Sequence, residues 1–185
     1  MKNTYFTSYF PLISILLFSS SLALSGQEKT TNFLKSLGMF SSMLELLSEG
    51  SLRLSLFLIF VTVMFMVFSA LKLIGDTITE LSLLFFSKDE TGECLARIKS
   101  GAAFYLCGGS LSLLTSGYPA ATLLLLLLST LAYFVFIVYQ ISYSLTGTAL
   151  AGLVFFHVLS WTSLMMGSLF MGVRLYNTLV ASIPF

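Results

Sequence analysis

Charge is what this 185-residue chain has least of: Asp, Glu, Lys and Arg make up 9% of it. A water-soluble domain carries about a quarter charged residues. Residues 54–71 hold no charged side chain, and neither do residues 100–173, where His157 is the one histidine. With so few charges the chain cannot be wetted by water on all sides, and its solvent is lipid. A single histidine excludes paired-histidine haem ligation and Cys/His zinc clusters. There are two cysteines, Cys94 in a charged segment and Cys107 in an apolar one, without C-x-x-C spacing. A net charge of +1 leaves no basic face for nucleic acid. The sequence therefore predicts no metal, no cofactor and no nucleic-acid partner. Its partners are membrane lipid and other membrane helices, either copies of itself or a partner membrane protein.

What the chain has in abundance is apolar surface. Hydrophobic residues are 57% of the chain and mean hydropathy is +0.97. A bilayer core is crossed by about 20 apolar residues in a helix. Five stretches meet that length: 5–24, 52–74, 100–118, 120–143 and 148–173. The first follows Lys2 and ends in Ala23-Leu24-Ser25, a small-x-small pattern. Its length exceeds the roughly 7–15 residues of a signal-peptide core, so it reads as a first transmembrane helix. Ser116-Gly117-Tyr118-Pro119 and Ser144-Leu145-Thr146-Gly147 are short turns. They make the last three spans antiparallel neighbours.

Nearly all the charge lies in two longer connections. In 25–51, Phe33, Leu34, Leu37, Phe40, Met43, Leu44, Leu46 and Leu47 recur at helical spacing opposite Lys35, Ser42, Glu45 and Ser48. That pattern predicts an amphipathic helix lying at the membrane surface or against the bundle. The segment 72–99 begins as an extension of the second span, turns at 87–92, and carries a Glu93–Arg97 pair at four-residue spacing. Basic residues Lys2, Lys72, Lys88, Arg97 and Lys99 fall on one side; Lys29, Lys35, Arg53 and Arg174 fall on the other. The cluster flanking the spans in the second connection orients the N-terminus to the cytoplasm. The fold class is thus an all-α membrane protein: a five-transmembrane-helix bundle, residues 1–185 in one integral membrane domain, with one amphipathic surface helix in its first loop.

Two polar seams could carry chemistry. Ser55, Thr62, Ser69 and Asp76 are seven apart on one helical face, with Lys72 and Glu80 beside Asp76. Thr122, Ser129, Tyr133 and Gln140 form a second face. Ionisable groups at membrane depth are costly and mark ion or proton paths. Lys72 near a span end can instead snorkel to the headgroups and pair with Asp76 in water. Hydroxyls in such seams also join helices, at about 0.6 kcal/mol per contact. His157 could relay protons, or sit neutral against a hydroxyl such as Ser160 or a neighbouring Tyr, with Trp161 on its ring.

Small residues mark close helix packing: Gly101, Gly108 and Gly109 in the third span, and Gly152, Ser160, Ser168 and Gly172 in the fifth. An intramembrane hydrolase would need a Ser110–His157 dyad, but Gly108-Gly109-Ser110-Leu111 lacks the G-x-S-x-G elbow. The sequence supports no catalytic residue. Its leading reading is a non-enzymatic accessory or scaffold subunit acting through helix packing. Its alternative is a small oligomeric channel or carrier for ions or protons.

The opening Met1-Lys2-Asn3-Thr4-Tyr5 through Phe18, and Phe68-Ser69-Ala70-Leu71-Lys72-Leu73-Ile74 continuing to Leu81 and Lys88, resemble the YufK-like family of small membrane proteins from Bacillus-type bacteria. That resemblance implies a bacterial plasma-membrane address. It implies no activity and no catalytic residue.

Overall fold

The computed structural model describes residues 8–87 and 92–182. The parts of the first span before residue 8, together with Lys2 and Lys88, lie outside the described residues. Among the described residues seven α-helices follow one another: α1 (Phe10–Ser36), α2 (Met39–Leu44), α3 (Glu49–Phe86), α4 (Glu93–Ile98), α5 (Ala102–Leu114), α6 (Pro119–Ser142) and α7 (Gly147–Ser182). A 3₁₀ turn, Lys99–Gly101, joins α4 to α5.

Helix ends follow local chemistry. Proline opens both α1 and α6, where a missing N–H costs nothing. Ser48 caps α3 by accepting from the Ser51 N–H at 3.2 Å. Gly38 stands in the left-handed region at φ +71°, and Gly92 at φ +74°. Both positions suit glycine, which has no Cβ to clash.

Gly38 also explains a correction. The amphipathic helix expected over 33–47 is split there: its first turn belongs to the end of α1, and only the six residues of α2 follow. Five spans were expected, yet among the described residues four helices are long and apolar enough to cross a membrane: α1, α3, α6 and α7. The expected third span, 100–118, contains a helix of 13 residues, α5. It is shortened by the 3₁₀ turn at one end and by the Thr115–Tyr118 turn at the other, where the Tyr118 N–H reaches the Thr115 carbonyl at 2.8 Å.

Side-chain contacts give the directions of the helices. Phe18 meets Phe68 and Gly26 meets Phe60, so α1 and α3 are antiparallel. Ser21 bonds the Ser112 carbonyl and Ser25 that of Ser116, so α1 and α5 are parallel. Gly101 against Tyr133 and Phe136, and Thr115 beside Thr122, make α5 and α6 antiparallel. Helix α7 runs back along α3, with Gly152 against Phe86, Thr79 against His157 and Gly75 against Trp161. Ile98 of α4 packs with Ile137 and Ile141 of α6 and Leu153 of α7, flanked by Leu83, Phe86, Tyr133 and Leu145.

The bundle buries hydroxyls beside its apolar core and turns leucines outward. Ser19, Ser21, Ser82, Ser112 and Thr122 are fully buried, while Leu124 and Leu127 of α6 are 56% and 55% exposed. Lipid tails are as apolar as leucine, so apolar side chains gain little by leaving them and hydroxyls gain partners by turning inward.

Candidate functional site

Three polar places emerge from this packing. The first is a row of hydroxyls where α1, α5 and α6 meet. Ser21 Oγ donates to the Ser112 carbonyl at 2.6 Å and lies 3.1 Å from Thr122 Oγ1. Thr122 Oγ1 is 3.3 Å from Thr115 Oγ1. Ser25 donates to the Ser116 carbonyl in the α5–α6 turn. The expected seam of α6 divides: Thr122 and Ser129 are buried, Tyr133 and Gln140 half-buried. Thr122 joins the row, whereas Ser129 Oγ returns its proton to the Leu125 carbonyl at 2.8 Å. Ser19 Oγ, also buried, has no hydrogen-bond partner among the described residues.

Glycine makes these approaches possible. A Cβ at Gly108 would overlap Ser129, and one at Gly109 would lie 3.1 Å from Leu17. At Gly101 a Cβ would come within 2.6 Å of the Phe136 ring, and at Gly152 within 2.5 Å of Phe86. Gly172 has nothing within 4 Å, Ser168 is exposed and Ser160 half-buried. The small-residue row of α7 is therefore used inside the chain at Gly152 and left open beyond residue 161.

The second place centres on His157. Its Nδ1 lies 3.2 Å from the Leu153 carbonyl and its Nε2 3.4 Å from Thr79 Oγ1. Phe134 packs on the ring at 5.5 Å between centroids. The expected partners are displaced: Thr79 stands where Ser160 was anticipated, and Trp161 lies against Gly75. Ser110 donates to the Leu106 carbonyl of its own helix at 2.9 Å and is exposed. No Ser110–His157 dyad forms among the described residues.

The α3 seam does not hold together as one lining. Ser55, Thr62 and Glu80 are exposed, and Ser69 is half-buried. Lys72 and Asp76 form an ion pair, their side chains 37% and 47% exposed. Thr79, three residues past Asp76, and Ser82 are the α3 hydroxyls that turn inward.

The third place escaped sequence reasoning. A cleft of about 380 Å³ is lined by Leu24, Gln27, Glu28, Thr31 and Asn32 of α1, Arg53 of α3, and Ser116 and Gly117 of the α5–α6 turn. Its walls come from three segments far apart in sequence, so no local pattern announces it. The polar run Gln27-Glu28 followed by Thr31-Asn32, directly after an apolar stretch, was the available signal. Arg53 Nη2 donates to Glu49 Oε1 at 2.6 Å across one helical turn. A larger hollow of about 620 Å³, from Phe170 to Ser182, is lined by α7 alone and has no opposing wall.

Neither hollow is lined by a residue of the expected seams. What the geometry can do is hold helices together through hydroxyls and glycines, and offer polar groups at one end of the bundle. No solved structure matches this chain. The chain is 46% identical over 184 residues to the uncharacterised membrane protein YufK of Bacillus subtilis (strain 168), covering 100% of both sequences. The profile of a family of unknown function, DUF5366, matches residues 27–184. Its apolar helices and its full-length likeness to a membrane protein make this chain a member of the DUF5366 family, the YufK-like membrane proteins.

Proposed function

We propose that this protein is a non-enzymatic accessory or scaffold subunit of the bacterial plasma membrane, working by helix packing against copies of itself or a partner membrane protein. The observation that carries this reading is α7 beyond residue 161. Every residue from 162 to 182 is exposed, with Phe170 at 65% and Leu175 at 61%. Gly167 and Gly172 in this stretch have nothing within 4 Å. Small residues facing outward in lipid allow a second helix to approach closely.

The reading includes five crossings with the N-terminus in the cytoplasm. Residues 93–114 are helical without a gap through α4, the 3₁₀ turn and α5, and they flank α6 from Ile98 to Thr115. That run is about 33 Å at 1.5 Å per residue; Glu93, Arg97 and Lys99 in its first two turns belong at the headgroups, and the uncharged remainder, about 22 Å, enters a hydrocarbon core of about 30 Å.

The test is Gly172→Leu in full-length protein purified in native lipid. A bulky side chain there should leave thermal unfolding unchanged and abolish self-association or loss-free co-purification of a partner. Wild-type protein that is monomeric and partner-free would overturn the scaffold reading. The channel or carrier reading is favoured by one observation, the Lys72–Asp76 ion pair past the middle of α3. Purified protein that gives no ion or proton flux in liposomes removes it.

A further inference from the structure

The cleft between α1, the start of α3 and the α5–α6 turn sits where three apolar segments all become polar. Helix α1 changes character after Leu24, α3 begins its uncharged stretch after Arg53, and the turn at Ser116-Gly117 separates two apolar helices. The Ser25–Ser116 hydrogen bond ties two of these transitions to one height. A hollow at that height opens at the level of lipid headgroups, where the hydrocarbon core ends.

The lining also has a charge pattern. It holds one carboxylate, Glu28, and one guanidinium, Arg53. Glu28 forms no ion pair with a described residue, and Arg53 gives one of its donors to Glu49. A guanidinium has five N–H donors and favours phosphate in a forked geometry. An anion alone would leave Glu28 facing like charge, and a cation alone would leave Arg53 so. A zwitterion answers both. Gln27, Asn32, Thr31 and Ser116 supply hydrogen-bonding groups around them. Among the described residues no aromatic ring lines the cleft, whereas quaternary ammonium groups are held by aromatic cages. The carboxylate and carboxamide oxygens suit a primary ammonium with three donors.

We propose that this cleft is a binding site for a phosphoethanolamine zwitterion carried by a phospholipid, its phosphate on Arg53 and its ammonium on Glu28. A volume near 380 Å³ lies within the range of small-molecule sites.

The experiment offers full-length protein vesicles containing equal shares of ethanolamine, choline and glycerol phospholipids, and analyses the lipid retained after purification. Wild-type protein should retain the ethanolamine lipid about fivefold over the choline lipid, the worth of about one hydrogen bond that only the primary ammonium can donate. Glu28→Gln should abolish that preference while phospholipid is still retained. Arg53→Gln should lower retention of all phospholipids. Glu45→Gln, exposed and outside the lining, should change nothing. Both charge variants lie on exposed positions, and circular dichroism checks that each is folded. A second arm adds soluble phosphoethanolamine and follows thermal unfolding. Stabilisation by it, lost in both variants and without any lipid preference, would keep the chemistry and overturn the lipid as its carrier. Retained lipid that mirrors the supplied mixture, together with no thermal shift, would overturn the site.

Discussion

Gly108 leaves a side chain no free room between Ser129 and Phe18. A methyl group there would overlap Ser129, and Phe18 Cζ would lie 3.3 Å away. Ser129 can swing its hydroxyl aside, but its Cβ, 3.2 Å off, moves only with the α6 backbone. Gly108→Ala should therefore lower stability by about 1–3 kcal/mol, the usual cost of overpacking. Denaturant titration in detergent measures it, and Ser129→Gly in the same chain should recover part of the loss. Thr79 offers a gentler case. Its hydroxyl donates to the Gly75 carbonyl at 2.8 Å and reaches His157 at 3.4 Å. Replacing it with valine keeps the shape and should cost about 1 kcal/mol. A double-mutant cycle with His157→Leu should show coupling below that figure, since the His157 contact is the longer of the two.

Among the elements, α7 has two halves with different neighbours. Residues 147–161 lie along α3 and α6, where Gly152 faces Phe86 and Leu153 is fully buried. Residues 162–182 touch no other described element closely enough to bury a side chain. Alanine at position 152 must push the Phe86 ring from its place, so Gly152→Ala should destabilise the folded chain by about 1–3 kcal/mol. Alanine at position 167 meets open space, and a glycine-to-alanine change in a helix is favourable by about 0.8–1 kcal/mol. Gly167→Ala should accordingly leave thermal unfolding unchanged or raise it. The pair separates glycines that serve the fold from glycines left for another molecule. Helix α1 was harder to read from its sequence. The apolar run that starts it reads as a span, but α1 continues through Gln27-Glu28-Lys29 to Ser36. The break that sequence periodicity did not place is Gly38, whose positive φ ends the helix.

For the whole molecule, contact directions bring the loop around Gly38 and the turn at Gly117 to one end of the bundle. They bring Gly92 and the turn at Thr146 to the other. In the five-crossing reading these ends face opposite sides of the membrane. Single cysteines at 37 and 117, in a chain lacking Cys94 and Cys107, should be labelled together by an impermeant thiol reagent in oriented vesicles. Cysteines at 93 and 146 should be protected in those vesicles and labelled in inverted ones. Labelling of 93 alongside 117 would mean that residues 93–114 fail to cross.

Lipid as solvent, the helical class and the antiparallel turns were legible in the residues themselves. Hydropathy and turn chemistry are local properties, and long stretches free of charge report the medium directly. The Glu93–Arg97 pair, 3.3 Å apart, is local in the same way, since four-residue spacing alone brings the two together. Which hydroxyl meets which carbonyl, that His157 finds Thr79 rather than Ser160, and that Glu28 and Arg53 share a wall were decided only in three dimensions. Those contacts join residues far apart in the chain. Their partners are chosen by the parallel packing of α1 on α5 and the approach of α5 to α6; Gly101 and Gly108 announce a close approach in the sequence, but not which helix makes it.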